Sequence, residues 1–110
     1  MTFNEYQEQA WSSAIFPSLK IEDGRIADFI YPLLGLNGEV GELTEKFKKF
    51  IRDGHMNHEA LVLECGDVLW YLSAIIKILG VEFEDVAKLN IEKLASRKKR
   101  NVLQGSGDNR

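Results

Sequence analysis

The sequence predicts an all-α domain, and three observations carry that prediction. Apolar residues recur at spacings of three and four in four separate segments, which is the period of one face of an α-helix. Residues that start or stop helices flank these segments, among them Thr2 with Glu5, Gly54 and Gly80. No segment shows the strict alternation of apolar and polar residues that is typical of a half-buried strand. We therefore expect four helices and no sheet.

The first helix is predicted over residues 3–13. Thr2 followed by Glu5 is the sequence pattern of a capping box, and apolar residues follow it at helical spacing. Residues 16–25 contain proline, glycine and aspartate and are predicted to form the connection to the next helix.

The second helix is predicted from near Tyr31 to about Arg52. Proline is tolerated in the first turn of a helix but not deep inside one, so Pro32 indicates the start. Gly54 supplies the C-terminal stop. The apolar stripe of this helix consists of Leu36, Val40, Leu43, Phe47, Phe50 and Ile51.

The third helix is predicted over residues 58–79, with Asn57 as its N-cap and Gly80 as its stop. Apolar residues cover nearly its whole circumference, and a helix that is apolar all round is usually buried all round. A four-helix domain of this size struggles to surround one helix, so we expect helix three to pack against a second subunit as well. Helix four is predicted from residues 82–84 to about Arg97.

The composition indicates one domain that does not bind nucleic acid. A chain of 110 residues with 45% hydrophobic residues suffices for a single core. We place this domain at residues 1–103 and expect the polar tail, residues 104–110, to be disordered. The formal net charge of -3 argues against a nucleic-acid-binding protein, which is usually clearly basic.

The sequence also predicts a cytoplasmic protein. Its single cysteine, Cys65, cannot form an internal disulfide, and its first residues lack the basic start and apolar run of a signal peptide. The most apolar stretch, residues 68–79, is too short to span a bilayer and carries Lys77. We therefore expect no membrane span.

Two pairs of carboxylates are the most informative feature of the chain. Glu39 and Glu42 stand three residues apart in helix two, and Glu64 and Asp67 stand three residues apart in the apolar helix three. Residues at i and i+3 share a helix face, so each pair directs two negative charges at one place. Such an arrangement requires a metal ion, a cluster of lysine or arginine, or shared protons between the carboxylates.

The donor types favour a hard cation. Four carboxylates without histidine or cysteine suit Mg²⁺, with Mn²⁺ as the alternative, and leave coordination positions for water and substrate phosphate. A di-iron bundle would instead carry histidine at the second position of each pair. Salt bridges from Lys46, Lys48 or Lys49 to the carboxylates are the competing structural interpretation.

Three segments, GLNGEVGELTEKFKK, ECGDVLWYL and NIEKLASR, resemble the MazG-like all-α nucleoside triphosphate pyrophosphohydrolases. The signature of that family is Glu-x-x-Glu, a linker, Glu-x-x-Asp and often a later Asn-x-x-Lys. The matching residues here are Glu39 and Glu42, Glu64 and Asp67, and Asn90 and Lys93. The resemblance covers about residues 3–100, and Gly38 departs from the glutamate that many relatives carry there.

The resemblance implies both an activity and an assembly. It implies hydrolysis of an NTP or dNTP between the α- and β-phosphates, which gives a nucleoside monophosphate and pyrophosphate. Glu39, Glu42, Glu64 and Asp67 would hold the metal, and one of them would position or deprotonate the attacking water. The fold implied is a four-helix bundle domain that forms a dimer or a dimer of dimers, with the site between helices two and three and covered by helix four.

Basic residues on two helices are the candidate phosphate ligands. Lys46 and Lys49 follow the first carboxylate pair in helix two. Asn90, Lys93 and Arg97 share one face of helix four.

Aromatic and amide side chains are the candidates for contacts with the sugar and base. Tyr71 lies one turn after Asp67 and can stand beside the metal site. Gln7 and Trp11 share a face of helix one and are candidates for hydrogen bonding to the base and for stacking on it.

Two alternatives stay open on the sequence. The first is a relative with a single substrate, such as phosphoribosyl-ATP, dUTP or dCTP. The second is a helical interaction protein without catalytic activity, which the intact carboxylate motifs argue against.

Overall fold

The computed structural model describes residues 1–17 and 24–110, without the side chains of residues 24–26. All regular secondary structure in these ranges is helical. The helices are α1 (Phe3–Trp11), α2 (Gly24–Asp53), α3 (His58–Ile78) and α4 (Phe83–Lys99). The all-α prediction is thus confirmed, although most of the predicted connection lies outside the described residues. None of the helices searched in the described residues is long and apolar enough to cross a membrane.

Side-chain caps fix the starts of α1 and α3 where the sequence predicts them. The Thr2 hydroxyl accepts a hydrogen bond from the Glu5 amide at 3.1 Å, and the Glu5 carboxylate accepts one from the Thr2 amide at 2.6 Å. The Asn57 side chain accepts a hydrogen bond from the Ala60 amide at 3.0 Å. These bonds satisfy backbone donors that have no partner inside the helix.

The predicted start of α2 is wrong. The helix begins at Gly24 rather than near Tyr31, so Pro32 lies inside it. A proline removes one backbone hydrogen bond from a helix interior, which is unfavourable in isolation. Pro32 is among the most fully buried side chains of the protein, and its burial helps to offset that loss. Tertiary packing therefore overrides a local signal that usually marks a helix start.

The helices form an antiparallel pair with two further helices against it. A short connection at residues 54–57 joins α2 to α3, and Gly54 adopts a φ of 71° there. Helices α1 and α4 both pack against α3 and against each other. In the described part of the chain α4 does not contact α2. The expectation that helix four covers the seam between helices two and three is therefore not met within one chain.

A buried glutamine holds α1 to the start of α4. Gln7 is 2% exposed, its amide donates to the Val81 carbonyl at 3.0 Å, and its carbonyl accepts from the Phe83 amide at 3.1 Å. Both ends of the Gln7 amide are thus engaged by backbone. We expected this side chain to contact a nucleobase, and the structure instead gives it a role in joining helices.

The chain is more open than its length predicts. Its radius of gyration is 17.0 Å, whereas a compact domain of this length has about 13 Å. Its accessible surface is 8285 Å², against about 6,200 Å² for a compact monomer of the same mass. Part of the excess comes from α3, where Val62 and Leu63 are more than half exposed. The apolar surface of α3 is therefore not fully covered within one chain.

Residues 104–110, for which the sequence predicts disorder, run as irregular backbone against α4. The Arg97 guanidinium donates to the Asp108 carbonyl at 3.0 Å, and Lys93 lies 3.3 Å from the Asp108 carboxylate. Arg110 donates to the Gly107 carbonyl of the same segment at 2.7 Å and to the Val102 carbonyl before it at 3.1 Å. The domain boundary near residue 103 stays a prediction.

Candidate metal centre

Three of the four carboxylates singled out in the sequence meet between α2 and α3. One carboxylate oxygen from each of Glu39, Glu64 and Asp67 lies within 4.8 Å of the other two. Glu64 and Asp67 share a face of α3, and the antiparallel pairing brings Glu39 of α2 opposite them. Glu39 and Glu64 are half-buried, while Asp67 is exposed.

The cluster is electrostatically unfavourable by itself. Partial burial raises the pKa of the Glu39 carboxyl, since loss of water penalises its charged form. The negative charges of Asp67, Glu64 and Glu42, in that order, raise the same pKa further. Ionised Glu39 is therefore unfavourable in free energy here, and a bound cation would offset this.

Glu42 stands apart from the other three carboxylates. It is exposed, and in the described residues its carboxylate does not join the cluster. Its charge still contributes to the raised pKa of Glu39, so the two groups are near neighbours on α2. The structure thus separates one member of the first pair from the cluster that holds the other.

One lysine offsets part of the negative charge. Lys46 Nζ lies 3.3 Å from Glu64 Oε1, so this salt bridge of the competing interpretation is present. Lys48 pairs instead with Glu45 at 2.8 Å. Lys49 is exposed and lines a small pocket near the α2–α3 connection. Among the side chains that the structure describes, Lys46 is the ammonium paired with this cluster, so a surplus of negative charge is left there.

The donors fit a hard divalent cation. The cluster offers carboxylate oxygens and no histidine or cysteine, which is the ligand type that Mg²⁺ and Mn²⁺ prefer. Oxygens within 4.8 Å of one another can surround a single ion at bond lengths of roughly 2 Å after small side-chain adjustments. An octahedral Mg²⁺ has about six coordination positions, so carboxylates that each supply one oxygen would leave positions for water and phosphate oxygens.

The negative charges of the cluster act on two tyrosines, which lie on different helices. The pKa of Tyr71 is raised by burial first, and then by the charges of Tyr31, Glu39 and Asp67. Burial also raises the pKa of Tyr6 in α1, and the charge of Asp67 adds to it. Tyr71 was singled out in the sequence, whereas Tyr6 was not.

An aromatic cleft of about 350 Å³ opens beside Tyr71. Phe16 stacks on Tyr31 with ring centroids 5.5 Å apart, and Trp70 meets the Tyr71 ring edge to face at 4.9 Å. The indole N–H of Trp70 donates to the Ser13 hydroxyl at 3.0 Å, which fixes the orientation of the ring. Tyr71 lines this cleft and also borders the carboxylate cluster, so the two features adjoin.

Trp11 and the predicted residues of α4 lie outside the cluster. Trp11 is 37% exposed and meets Phe16 edge to face at 6.3 Å. Asn90 is exposed on α4, and Lys93 pairs with Asp108. Arg97 is 5% exposed and is held by the tail through its Nη2 atom. None of the ion pairs or hydrogen bonds described for these residues reaches a carboxylate of the cluster.

Sequence reasoning missed the aromatic side chains that surround Tyr71. Trp70, Phe16, Tyr31 and Tyr6 are not among the site residues that the sequence predicts. The sequence contained one usable signal, which is the concentration of aromatic residues at both ends of the first connection. Which of these rings turn toward α3 depends on tertiary packing.

Comparisons with known proteins identify the family of the chain. The chain matches the family model of the MazG nucleotide pyrophosphohydrolase domain over residues 32–102, a range that includes all four carboxylates. It is 42% identical over 110 residues to the Gene 37 protein of Mycobacterium phage L5, with 96% of each chain covered. No solved structure matches. The chain therefore belongs to the MazG nucleotide pyrophosphohydrolase family.

Proposed function

We propose that this protein hydrolyses nucleoside or deoxynucleoside triphosphates between the α- and β-phosphates, with Mg²⁺ as its metal and Mn²⁺ as a substitute. The observation that carries the proposal is the meeting of Glu39, Glu64 and Asp67 within 4.8 Å beside an aromatic cleft. Family membership supports the reaction class. The expected cytoplasmic location stays a prediction.

The three clustered carboxylates would hold the cation. When bound, it would neutralise triphosphate oxygens and stabilise the charge that builds on the departing pyrophosphate. Glu39, Glu64 and Asp67 contribute by fixing its position at the α2–α3 seam. The raised pKa of Glu39 supports this role, because burial first, and then the neighbouring negative charges, penalise its charged form before any cation arrives.

Glu42 is our candidate for the general base. It lies near Glu39 but outside the cluster, and its exposure leaves its carboxylate open to water. In this role it orients a water molecule toward the α-phosphorus and takes its proton as the new oxygen–phosphorus bond forms. The bond from the α-phosphorus to the bridging oxygen breaks, and that oxygen leaves with pyrophosphate.

Lys46 and Lys49 are the nearest candidates for phosphate binding. Lys46 already lies against Glu64, and both lysines line a pocket of about 170 Å³ together with His55. A lysine ammonium can move between a carboxylate and a phosphate because it carries three donors on a flexible stem. Asn90, Lys93 and Arg97 stay predictions as further phosphate contacts.

We place the nucleobase in the aromatic cleft. Phe16, Tyr31, Trp70 and Tyr71 offer ring faces and edges beside the carboxylate cluster, and aromatic rings stack on every nucleobase. The volume of about 350 Å³ lies within the usual range of small-molecule pockets. Trp11 would act indirectly, through its edge contact with Phe16.

We further propose that the protein assembles with copies of itself, as a dimer or a dimer of dimers. The chain exposes roughly 2,000 Å² more surface than a compact monomer of its mass. A stable interface covers about 800 Å² on each partner, so this excess is large enough to form one. The exposed apolar residues of α3, Val62 and Leu63 among them, are the surface that a second copy would cover.

Glu39→Gln is expected to raise the midpoint of thermal unfolding by a few degrees at pH 7 in EDTA, because it removes one of three repelling charges. The pKa of Glu39 is raised in the folded state above the ordinary glutamate value of about 4.3. The wild-type protein therefore loses stability as the pH rises from about 4.3 toward the raised pKa. The gain should therefore shrink on acidification toward pH 4. Circular dichroism melting measures it.

Glu45→Gln is the matched control on α2. A hydrogen bond from Lys48, with its positive charge, lowers the pKa of Glu45, so neutralising Glu45 should give no gain. Equal stabilisation by both substitutions would contradict repulsion inside the cluster.

Asp67→Asn and Glu42→Gln should separate metal binding from proton transfer. We expect Asp67→Asn to lower both Mn²⁺ affinity and pyrophosphate release, the latter by roughly 100-fold or more. Glu42→Gln should keep Mn²⁺ affinity and lose roughly 10²- to 10⁴-fold in turnover. The assay is pyrophosphate release over a panel of NTPs, dNTPs and phosphoribosyl-ATP, with helical circular dichroism as the folding check. Full activity in Asp67→Asn would refute the metal centre.

Phe16→Ala should raise KM for the preferred nucleotide by roughly 5- to 100-fold, because base stacking contributes about 1–3 kcal/mol. The turnover number should change much less. Phe3→Ala is the control, since Phe3 stacks on Phe83 at 4.8 Å, in a different aromatic pair. An unchanged KM in both Phe16→Ala and Tyr31→Ala would place the base elsewhere.

Leu63→Lys should dissociate the assembly, because a charge replaces an apolar side chain at the proposed interface. Light scattering after size-exclusion chromatography measures the mass. Leu89→Lys on α4 is the control, since Leu63 and Leu89 are each 65% exposed. Dissociation by Leu89→Lys alone would assign the interface to α4 instead.

A further inference from the structure

The backbone of α2 lies against a side chain of α3 one helical turn from the carboxylate cluster. A Cβ atom built on Gly35 would overlap Cε1 and Cζ of the Tyr71 ring and lie 2.6 Å from Cδ1. The edge of the ring thus occupies the space that any other side chain at position 35 would need. Glycine permits a contact between ring and helix backbone here.

This contact and the carboxylate cluster lie on successive turns of the α2–α3 pair. Gly35 precedes Glu39 by four residues on α2, and Tyr71 follows Asp67 by four residues on α3. Residues four apart lie on the same face, and one turn rises about 5.4 Å. Because the two helices are antiparallel, the ring of Tyr71 lies beside Gly35 while Asp67 lies opposite Glu39.

The ring borders the open aromatic cleft, but its neighbour Trp70 restrains it. Tyr71 is half-buried, and the indole of Trp70 meets it edge to face at 4.9 Å. That indole is itself held by its hydrogen bond to Ser13. Normal carbon–carbon contact begins near 3.5 Å, so a methyl group at position 35 would displace the ring or α2 by at least about 1 Å.

A shift of this size matters for a cation site. The carboxylate oxygens of Glu39, Glu64 and Asp67 come within 4.8 Å of one another only because α2 and α3 are close at this level. Mg²⁺ requires near-ideal geometry at bond lengths of about 2.0–2.1 Å, so an opening of about 1 Å forces Glu39 to reach further and strains the coordination.

We propose that Gly35 and Tyr71 are positioning residues that set the separation of α2 and α3 at the metal centre. The contact acts as a spacer, because the Tyr71 ring fills the space that is left by the lack of a side chain at Gly35. This inference rests on the proposed function, because it presupposes that the three carboxylates bind a cation.

The test measures Mn²⁺ affinity by electron paramagnetic resonance, which detects free Mn²⁺ without any substrate. Gly35→Ala should weaken binding by roughly 10- to 100-fold while helical circular dichroism persists. Replacement of a helix-interior glycine by alanine normally stabilises the helix. Weaker Mn²⁺ binding in Gly35→Ala would therefore not be explained by a loss of helix stability. Gly41→Ala is the matched control on α2, because a Cβ there meets nothing within 4 Å.

Two further variants separate spacing from other effects. Gly35→Ala combined with Tyr71→Ala should recover most of the lost affinity, since the clash is gone. Tyr71→Phe should bind Mn²⁺ as wild type does, because the ring and not the hydroxyl is the spacer. Wild-type affinity in folded Gly35→Ala, or no recovery in the double variant, would overturn the proposal.

The same measurements distinguish this failure from failure of the proposed function. If wild-type protein binds Mn²⁺ but releases no pyrophosphate from any nucleotide, the reaction is refuted while the spacer is still judged by the affinities. If wild-type protein binds no Mn²⁺, the metal centre and the spacer are both overturned.

Discussion

Mutual repulsion among three carboxylates at one helix–helix contact is the constraint on which the site depends. Glu39, Glu64 and Asp67 approach one another because α2 and α3 pack closely along an apolar seam. Lys46 compensates only one of them. Packing of α2 against α3 must therefore overcome the repulsion between these carboxylates. Such unfavourable groups of like charge are common at binding sites, where the ligand supplies the opposite charge.

The metal centre and the aromatic cleft share one side chain. Tyr71 approaches the backbone of α2 at Gly35, meets Trp70 edge to face, and borders the carboxylates. A nucleotide has the same division into a charged triphosphate and a flat apolar base. The adjacency of a cation site and an aromatic cleft therefore supports a nucleotide more than it supports a simple phosphate ester.

Local signals predicted the helices well, because capping and periodicity are properties of short segments. The capping box of Thr2 and the N-cap at Asn57 are both present. Pro32 misled the prediction of the α2 start, because burial of its ring helps to offset the missing hydrogen bond, and burial is decided by the whole fold.

The composition of the site was predictable only in part. Spacing placed Glu39 and Glu42 on one edge of helix two, but the rotation of α2 against α3 decides which of them meets the other pair. In the same way, no local pattern distinguishes Gln7, which bonds to the backbone before and at the start of α4, from Tyr6, whose ring meets Phe83. The phosphate-binding candidates on α4 were predicted on the assumption that α4 covers the α2–α3 seam, which it does not do within one chain.

The glutamine that joins α1 to α4 has a consequence for local opening. The Phe83 amide bonds to the Gln7 side chain, so this amide becomes open to solvent exchange when α1 leaves its place. Tyr6, the neighbour of Gln7, meets Phe83 edge to face at 6.5 Å, so the same opening also breaks this aromatic contact. Detachment of the N-terminal helix therefore uncovers the start of α4, and protection of a single backbone amide reports it.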